Sequence, residues 1–310
     1  MGLKAFCQKL WPRRVSESVT TQVQEKASSV FADLAMAYSP RKIGRMRVKD
    51  AFVLDLDGPE QVRPVDTVAL YLQGRKAIVI RDRTTGNAGP TIRWAETGVC
   101  VPVFCDWEGM GHDSLVLYDQ EHAAFHLFPE YGSQKPAVSF HFGPPGLGWI
   151  PLAGDWNGDG VDGIGLYDPA SGVFVLRNEL NAGPPDIQCA YGPAGQGWMP
   201  IVGDWNGDQR DEVGVYHPMS GTFLLSRNLA SEETSAFHVQ VSNIREHWQP
   251  IAGDWAGDGR DSVGLYDPEE HVFYLIDSSS GKIGHVFKFG ATGETVLPLA
   301  LKWKADDGSS

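Results

Sequence analysis

The sequence predicts an all-β fold, a β-propeller of four-stranded blades preceded by an N-terminal amphipathic helix. Three observations predict it. First, the stretch Gly154-Asp155-Trp156-Asn157-Gly158-Asp159-Gly160-Val161-Asp162 returns at Gly203–Asp211 and Gly253–Asp261, and in worn form at Cys105–Asp113. The opening aspartates Asp106, Asp155, Asp204 and Asp254 stand 49, 49 and 50 residues apart, and a fixed period of that size marks a repeat architecture. Second, each period holds short strands separated by turn residues, four strands in about 45–50 residues, which is the arithmetic of a propeller blade. Third, a tyrosine ends the second strand of every unit, at Tyr71, Tyr118, Tyr167, Tyr216 and Tyr266.

The chain divides into an arm and a ring. Residues 1–46 are an N-terminal helical arm with a basic linker. Val19, Val23, Ala27, Val30, Phe31, Leu34 and Tyr38 fall at spacings of three and four, so one amphipathic helix is expected over 16–38, capped by Ser16 or Ser18 and stopped by Pro40. Residues 47–310 form the ring, with units at about 47–97, 98–145, 146–195, 196–245 and 246–303.

In the unit of 146–195 the first strand is Trp149–Gly154. The Asp/Gly loop follows, and then a second strand, Ile164–Tyr167. Asp168-Pro169-Ala170-Ser171-Gly172 turns the chain, Val173–Arg177 is the third strand and Ile187–Gly192 the fourth. The unit of 47–97 is the most divergent, with Asp55 and Asp57 in its loop. Near the end, Val296–Trp303 matches a further first strand, Trp303 lying 48 residues after Trp255. Five blades are favoured, with that strand covering an edge; a sixth blade is the alternative.

Composition bounds the function. Of the net charge of −13, residues 1–50 carry ten Lys/Arg against four Asp/Glu, and the remainder sixteen against thirty-five. A ring this acidic repels a phosphate backbone, which argues against nucleic acid and for cations or basic partner surfaces. No apolar run reaches the ~20 residues of a membrane-spanning helix. Cys7, Cys100, Cys105 and Cys189 make no disulfide framework in a chain this long, and no signal-peptide core is visible. A cytoplasmic location is expected on those grounds; an extracellular one follows if a leader is removed or export is non-standard.

The repeats resemble the FG-GAP and VCBS repeats of integrin α-chain propellers and of bacterial propeller proteins. They are most similar to the bacterial GDWNGDGxDxxGLYDP type, at Gly154–Pro169 with variants at Gly203–Pro218 and Gly253–Pro268. The resemblance implies a propeller that binds ligands on its loop faces, with Ca²⁺ often held between the first two strands of a blade. Such an ion needs six to eight oxygens, which alternate residues of a tight loop can supply. Asp155, Asn157, Asp159 and the Val161 carbonyl are candidates in one loop, where Gly163 stands in place of the closing carboxylate and Asp162 is a substitute. The next loop offers Asp204, Asn206, Asp208, the Arg210 position and Glu212. The third keeps Asp254 and Asp258 but has Ala256 and Ser262. The Asp106 loop, with Met110, is expected to be empty. A competing reading needs no ion, because Asp/Asn/Gly loops also close by bonding side chains to their own backbone. Asp113, Asp162, Asp211 and Asp261 recur even where ligands are lost, which favours a structural hydrogen bond for them.

Trp107, Trp156, Trp205, Trp255 and Trp303 keep the period and are expected to wedge between blades. Trp149, Trp198 and Trp248 precede first strands and are candidates for stacking on sugar rings, against packing at a blade edge. The nine histidines show no metal-binding spacing. The expected function is therefore a non-catalytic binding or assembly module that recognises a protein or glycan through its helix or a propeller face. The alternative is a glycan-active enzyme or lectin, with paired carboxylates as acid and base. A functional pocket should show as unrepeated side chains gathered on one face.

Overall fold

The computed structural model describes residues 66–303 apart from 84, 95–99, 230–235, 278–281 and 291–294. The expected helix over 16–38, its linker and the Asp55/Asp57 loop lie outside the described residues.

Among the described residues, twenty strands form five four-stranded antiparallel sheets. In chain order, β1 (Thr67–Leu72), β2 (Ala77–Arg81) and β3 (Ala88–Arg93) come first. Blade A follows with β4 (Cys100–Cys105), β5 (Ser114–Asp119), β6 (Ala124–Leu127) and β7 (Val138–His141). Blade B is β8 (Ile150–Gly154), β9 (Gly163–Asp168), β10 (Val173–Arg177) and β11 (Ile187–Ala190). Blade C is β12 (Met199–Gly203), β13 (Glu212–His217), β14 (Thr222–Ser226) and β15 (Ala236–Gln240). Blade D is β16 (Gln249–Gly253), β17 (Ser262–Asp267), β18 (Val272–Asp277) and β19 (Lys282–Lys288).

The last strand, β20 (Val296–Leu301), pairs with β1 in the register Leu70↔Pro298 and completes blade E in the order β20-β1-β2-β3. The inner strands then neighbour one another in a closed cycle: β4 beside β8, β8 beside β12, β12 beside β16, β16 beside β20 and β20 beside β4. The ring has five blades, and the sixth-blade alternative falls away. Joining β20 to β1 removes the open edges that a terminal blade would otherwise expose.

Burial follows strand position. The second strands (β1, β5, β9, β13, β17) are buried over five or more successive residues, because each is flanked within its own sheet and covered by both neighbouring blades. The outermost β11 alternates half-buried and exposed residues instead. The core is accordingly five layers, each between two blades. In four blades the periodic tyrosine packs against a phenylalanine of the third strand, with ring centroids 4.6 Å apart for Tyr118–Phe125, Tyr167–Phe174 and Tyr216–Phe223 and 4.5 Å for Tyr266–Phe273. Each such pair contributes about 0.5–1.5 kcal/mol beyond its buried area. Trp156, Trp205 and Trp255 are buried wedges, and Trp107 and Trp303 pack against the same kind of layer.

Candidate functional site

The Asp/Gly loops join the first and second strands of blades A to D, and in each the opening aspartate organises its own turn. Asp155 accepts the backbone N–H of Gly158 (2.7 Å) and Asp159 on Oδ1 and that of Gly160 (2.8 Å) on Oδ2. Asp204 does the same with Gly207, Asp208 and Gln209, and Asp254 with Gly257, Asp258 and Gly259. Asp106 accepts from Met110 and Gly111. The path needs left-handed residues, supplied by Gly158 and Gly160, and by Gln209 at φ 68° in the Asp204 loop. Every loop therefore closes on its own amides, whatever number of oxygen ligands it keeps.

The loops differ in what remains for a cation. In the Asp155 loop Asn157 donates to Asp159 (2.8 Å) and Asp159 accepts from Val161 (2.9 Å). Gly163 cannot carry a closing carboxylate, since a Cβ there would lie 2.2 Å from the carbonyl oxygen of Arg177. Asp162 is turned away from its own loop and accepts the Asp106 N–H at 2.8 Å. Asp258 in the third loop accepts from Arg260.

The Asp204 loop stands apart. Glu212 is 2% exposed, its Oε1 accepts from Asn206 (2.6 Å), and its Oε2 has no partner. Burial, and then the charges of Asp208 and Asp204, push its carboxyl up to about 8. That orphaned oxygen beside two carboxylates fits a cation, although no three His, Cys, Asp or Glu side chains among the described residues already stand close enough to hold one.

The recurring aspartate at the start of each second strand has a different task. Asp162, Asp211, Asp261 and Asp66 accept the backbone N–H of Asp106, Asp155, Asp204 and Asp254 at 2.7–2.9 Å, each from the adjacent blade. Asp113 accepts that of Lys302 at 2.7 Å. In every case the aspartate's own N–H returns a bond to the partner's carbonyl, at 2.8–3.3 Å. The five reciprocal clasps run A to B to C to D to E and back to A, so they close the ring.

Lys302 occupies the place that an aspartate holds in the other four blades. It breaks the symmetry of the site. The five clasping aspartates and Lys302 line an axial mouth of about 120 Å³, floored by Gly154, Gly203, Gly253 and small apolar neighbours. Burial raises all five carboxyls: Asp113 to about 8, with Asp162 adding to it, Asp261 to about 7, with Asp66 adding to it, and Asp66, Asp162 and Asp211 in the same direction. For Lys302, desolvation works against the ammonium, but the fields of Asp113, Asp66, Asp261 and Asp162 outweigh it and raise its pKa.

Sequence reasoning anticipated a structural bond for four of these aspartates and missed Asp66 and Lys302, which come from opposite ends of the described chain. The tryptophan candidates separate. Trp248 is 7% exposed and stacks on Tyr274 (4.5 Å, 15°), so it packs a blade edge. Trp198 is half-buried over His217 (4.8 Å), and Trp149 is half-buried against the layer between blades A and B.

One unrepeated group does gather. Asp119, His122, His126, Ser139, Phe140 and His141 line a depression of about 340 Å³ on blade A. Spacing along the chain gave no sign of it; the β6/β7 register, Ala124↔His141 and His126↔Ser139, brings it together. Asp119 holds His122 at 2.7 Å and Ser139 holds His126 at 2.9 Å. No imidazole here bridges a carboxylate and a hydroxyl, as a serine nucleophile would require.

No protein-family model matches the chain, and no curated protein matches it. Among solved structures it is similar to a lectin of Agrocybe aegerita that recognises non-reducing terminal N-acetylglucosamine, with 14% identity over 76% of this chain and 65% of the lectin and a TM-score of 0.41. It is also similar to BBS1N in its complex with ARL6DN, at 11% identity, 64% of this chain, 58% of that one and TM-score 0.36. The V. cholerae biofilm matrix protein Bap1 is a third, at 15% identity, 73% of this chain, 37% of that one and TM-score 0.32. The chain spans less than two thirds of the length of each of these three. At such values the propeller rests on this chain's own strand pairing. No helix among the described residues is long and apolar enough to cross a membrane.

Proposed function

We propose that the chain is a non-catalytic binding or assembly module of the FG-GAP/VCBS repeat type, a rigid propeller that presents its surface to a protein or glycan partner. The observation that supports this most is the fate of the repeated carboxylates: each one in the axial ring is engaged by a backbone N–H of the neighbouring blade. Residues that an enzyme would use as acid and base are here committed to ring closure. A glycan partner is expected to register on a panel of immobilised sugars, with Trp198→Ala weakening it by roughly tenfold through loss of an aromatic contact. Aryl glycosides offered to the same preparation should remain intact. Turnover that disappears in Asp113→Asn or Asp261→Asn would overturn the non-catalytic reading.

The same proposal places a structural Ca²⁺ in the Asp204 loop, held by Asp204, Asn206, Asp208 and Glu212 with the Arg210 carbonyl. The orphaned Oε2 of Glu212 supports that choice over the Asp155 and Asp254 loops. Calorimetric titration of Ca²⁺ into chelator-treated protein should show one site per chain. At one hundred times the dissociation constant the ion should add about 2.7 kcal/mol of stability. Glu212→Gln should abolish both signals; an unchanged melt and no heat in the unsubstituted protein would remove calcium from the account.

A further inference from the structure

Asn-Gly occurs twice in the chain, at Asn157-Gly158 and Asn206-Gly207, each time inside the same hexapeptide, Gly154–Asp159 and Gly203–Asp208. A glycine has no Cβ to shield its backbone nitrogen, so the asparagine before it can close on that nitrogen as a five-membered succinimide. An arginine stem covers both glycines alike: a Cβ at Gly158 would lie 2.8 Å from Arg210 Cγ, and one at Gly207 2.8 Å from Arg260 Cγ. The two asparagines differ in what holds the side-chain amide. Asn157 is exposed and Asn206 is half-buried.

At Asn157 every reacting group already has a partner suited to the reaction. Its Oδ1 accepts the Asp159 N–H at 3.0 Å, a donor that Asp155 shares at 3.2 Å. A side-chain oxygen that reaches the N–H two residues on is folded back over the intervening peptide, which turns Cγ toward the Gly158 nitrogen. The Gly158 N–H donates to Asp155 Oδ1 at 2.7 Å, so the nucleophile lies against a carboxylate base. The Asp159 N–H stands where an oxyanion on Oδ1 forms. Nδ2, the leaving group, donates to Asp159 Oδ2 at 2.8 Å. At Asn206 the base is kept, since the Gly207 N–H donates to Asp204 Oδ1 at 2.6 Å. The amide is drawn elsewhere: its Nδ2 donates to the buried Glu212 at 2.6 Å and to the Arg227 carbonyl at 3.3 Å, and the Asp208 N–H donates to Asp204 at 3.2 Å.

We propose that Asn157 is a self-modifying site that loses ammonia to become aspartate and isoaspartate, while its bonds to Glu212 and Arg227 protect Asn206. The Gly158 nitrogen forms a bond to Asn157 Cγ as its proton passes to Asp155 Oδ1, and the Cγ–Nδ2 bond then breaks. Nδ2 takes up that proton through solvent and leaves as ammonia, which gives the succinimide. Solvent water then adds to one of the two succinimide carbonyls and opens the ring. Cleavage at Cγ gives an aspartate in place of Asn157; cleavage at the former main-chain carbonyl gives isoaspartate, with one more carbon in the backbone. Nothing is oxidised or reduced. Either product adds a carboxylate between Asp155 and Asp159. This inference needs neither the partner nor the calcium proposed above, because the Asp204 loop enters only as the protected copy.

The test is peptide mapping by mass spectrometry of the full chain aged at pH 8 with a chelator, once folded and once in guanidinium chloride. The mass gain of an NH2-to-OH exchange reports each asparagine separately. In the denatured chain both sit in the same hexapeptide and should react at equal rates. In the folded chain Asn157 should react faster than it does denatured, and at least roughly tenfold faster than Asn206. Asp155→Asn keeps one side-chain oxygen and removes the base, so the reaction falls back on hydroxide. Asn157 should then slow severalfold and its rate should climb more steeply with pH, which a merely structural role for Asp155 would not produce. Asn206 should keep its rate in that variant. Equal rates at the two asparagines in the folded chain, a faster Asn206, or a folded Asn157 slower than in the denatured chain overturns the proposal. So does an Asp155→Asn variant whose Asn157 reacts undiminished. The unsubstituted chain, folded and denatured, suffices if that variant does not fold.

Discussion

Lys302→Met is expected to melt roughly 4–8 °C below the unsubstituted protein at pH 8.5, and close to it at pH 5. The methylene stem is kept, and the backbone N–H and C=O that clasp Asp113 are untouched, so the change isolates the ammonium. Without it, the five ring carboxylates lose the one positive charge set among them in the lining. Lys302 is exposed at the rim, so its charge acts on several carboxylates through screening solvent, at up to ~1 kcal/mol each and about 2 kcal/mol in all. For a chain of this size that is ~2–4 °C per kcal/mol.

The pH dependence follows from the direction of the carboxyl shifts. Asp113 and Asp261 are raised in the folded state to about 8 and about 7. Their contribution to stability is therefore complete below the ordinary carboxylate pKa and is lost as pH rises through about 7 to 8, by up to ~1.4 kcal/mol per pH unit for each proton retained. At pH 5 the Asp113 and Asp261 side of the ring holds its protons and has little use for Lys302. At pH 8.5 it is losing them, and the lysine is the compensation. Urea or thermal melts at both pH values measure the difference, and 1 M salt should narrow it. A deficit that is the same at both pH values would mean that Lys302 acts through its packing and not its charge.

How far the sequence disclosed this site depended on where its parts lie along the chain. Asp113, Asp162, Asp211 and Asp261 were legible as structural because they persist where Met110 or Ala256 has replaced a metal ligand. Asp66 and Lys302 were not, for a topological reason. Blade E takes its inner strand from β20, so the residue equivalent to Asp106 or Asp155 is Lys302, and the partner of Asp254 is an aspartate 188 residues away. Self-similarity along a chain cannot align a unit whose two halves sit at opposite ends of the described residues. The histidines of blade A were hidden by a related cause, since strand register and not spacing sets His126 opposite Ser139 and Ala124 opposite His141. The contrast between Glu212 and Gly163 was visible as letters, but its reason was not: the Arg177 carbonyl leaves no room for a side chain at Gly163.

Asp211 should separate the hydrogen-bonding role of the ring from its charge. Asp211→Ala is expected to destabilise the protein by about 1–3 kcal/mol at every pH, because the Asp155 N–H that now reaches Oδ2 at 2.7 Å would lose its acceptor. Asp211→Asn keeps an oxygen at that position and removes a carboxylate whose ionisation is opposed by burial and by Asp261 and Asp162. The asparagine variant should therefore match the unsubstituted protein near pH 5, where Asp113 and Asp261 hold their protons and burial opposes ionisation of Asp211. Above pH 8 it should exceed it by about 1 kcal/mol, since one fewer like charge has to be carried. Thermal melts of the three proteins across that range give the comparison directly. If Asp211→Asn is as damaging as Asp211→Ala, the negative charge itself is required at the axis. The clasp would then be incidental to the field that the carboxylates set up at Lys302.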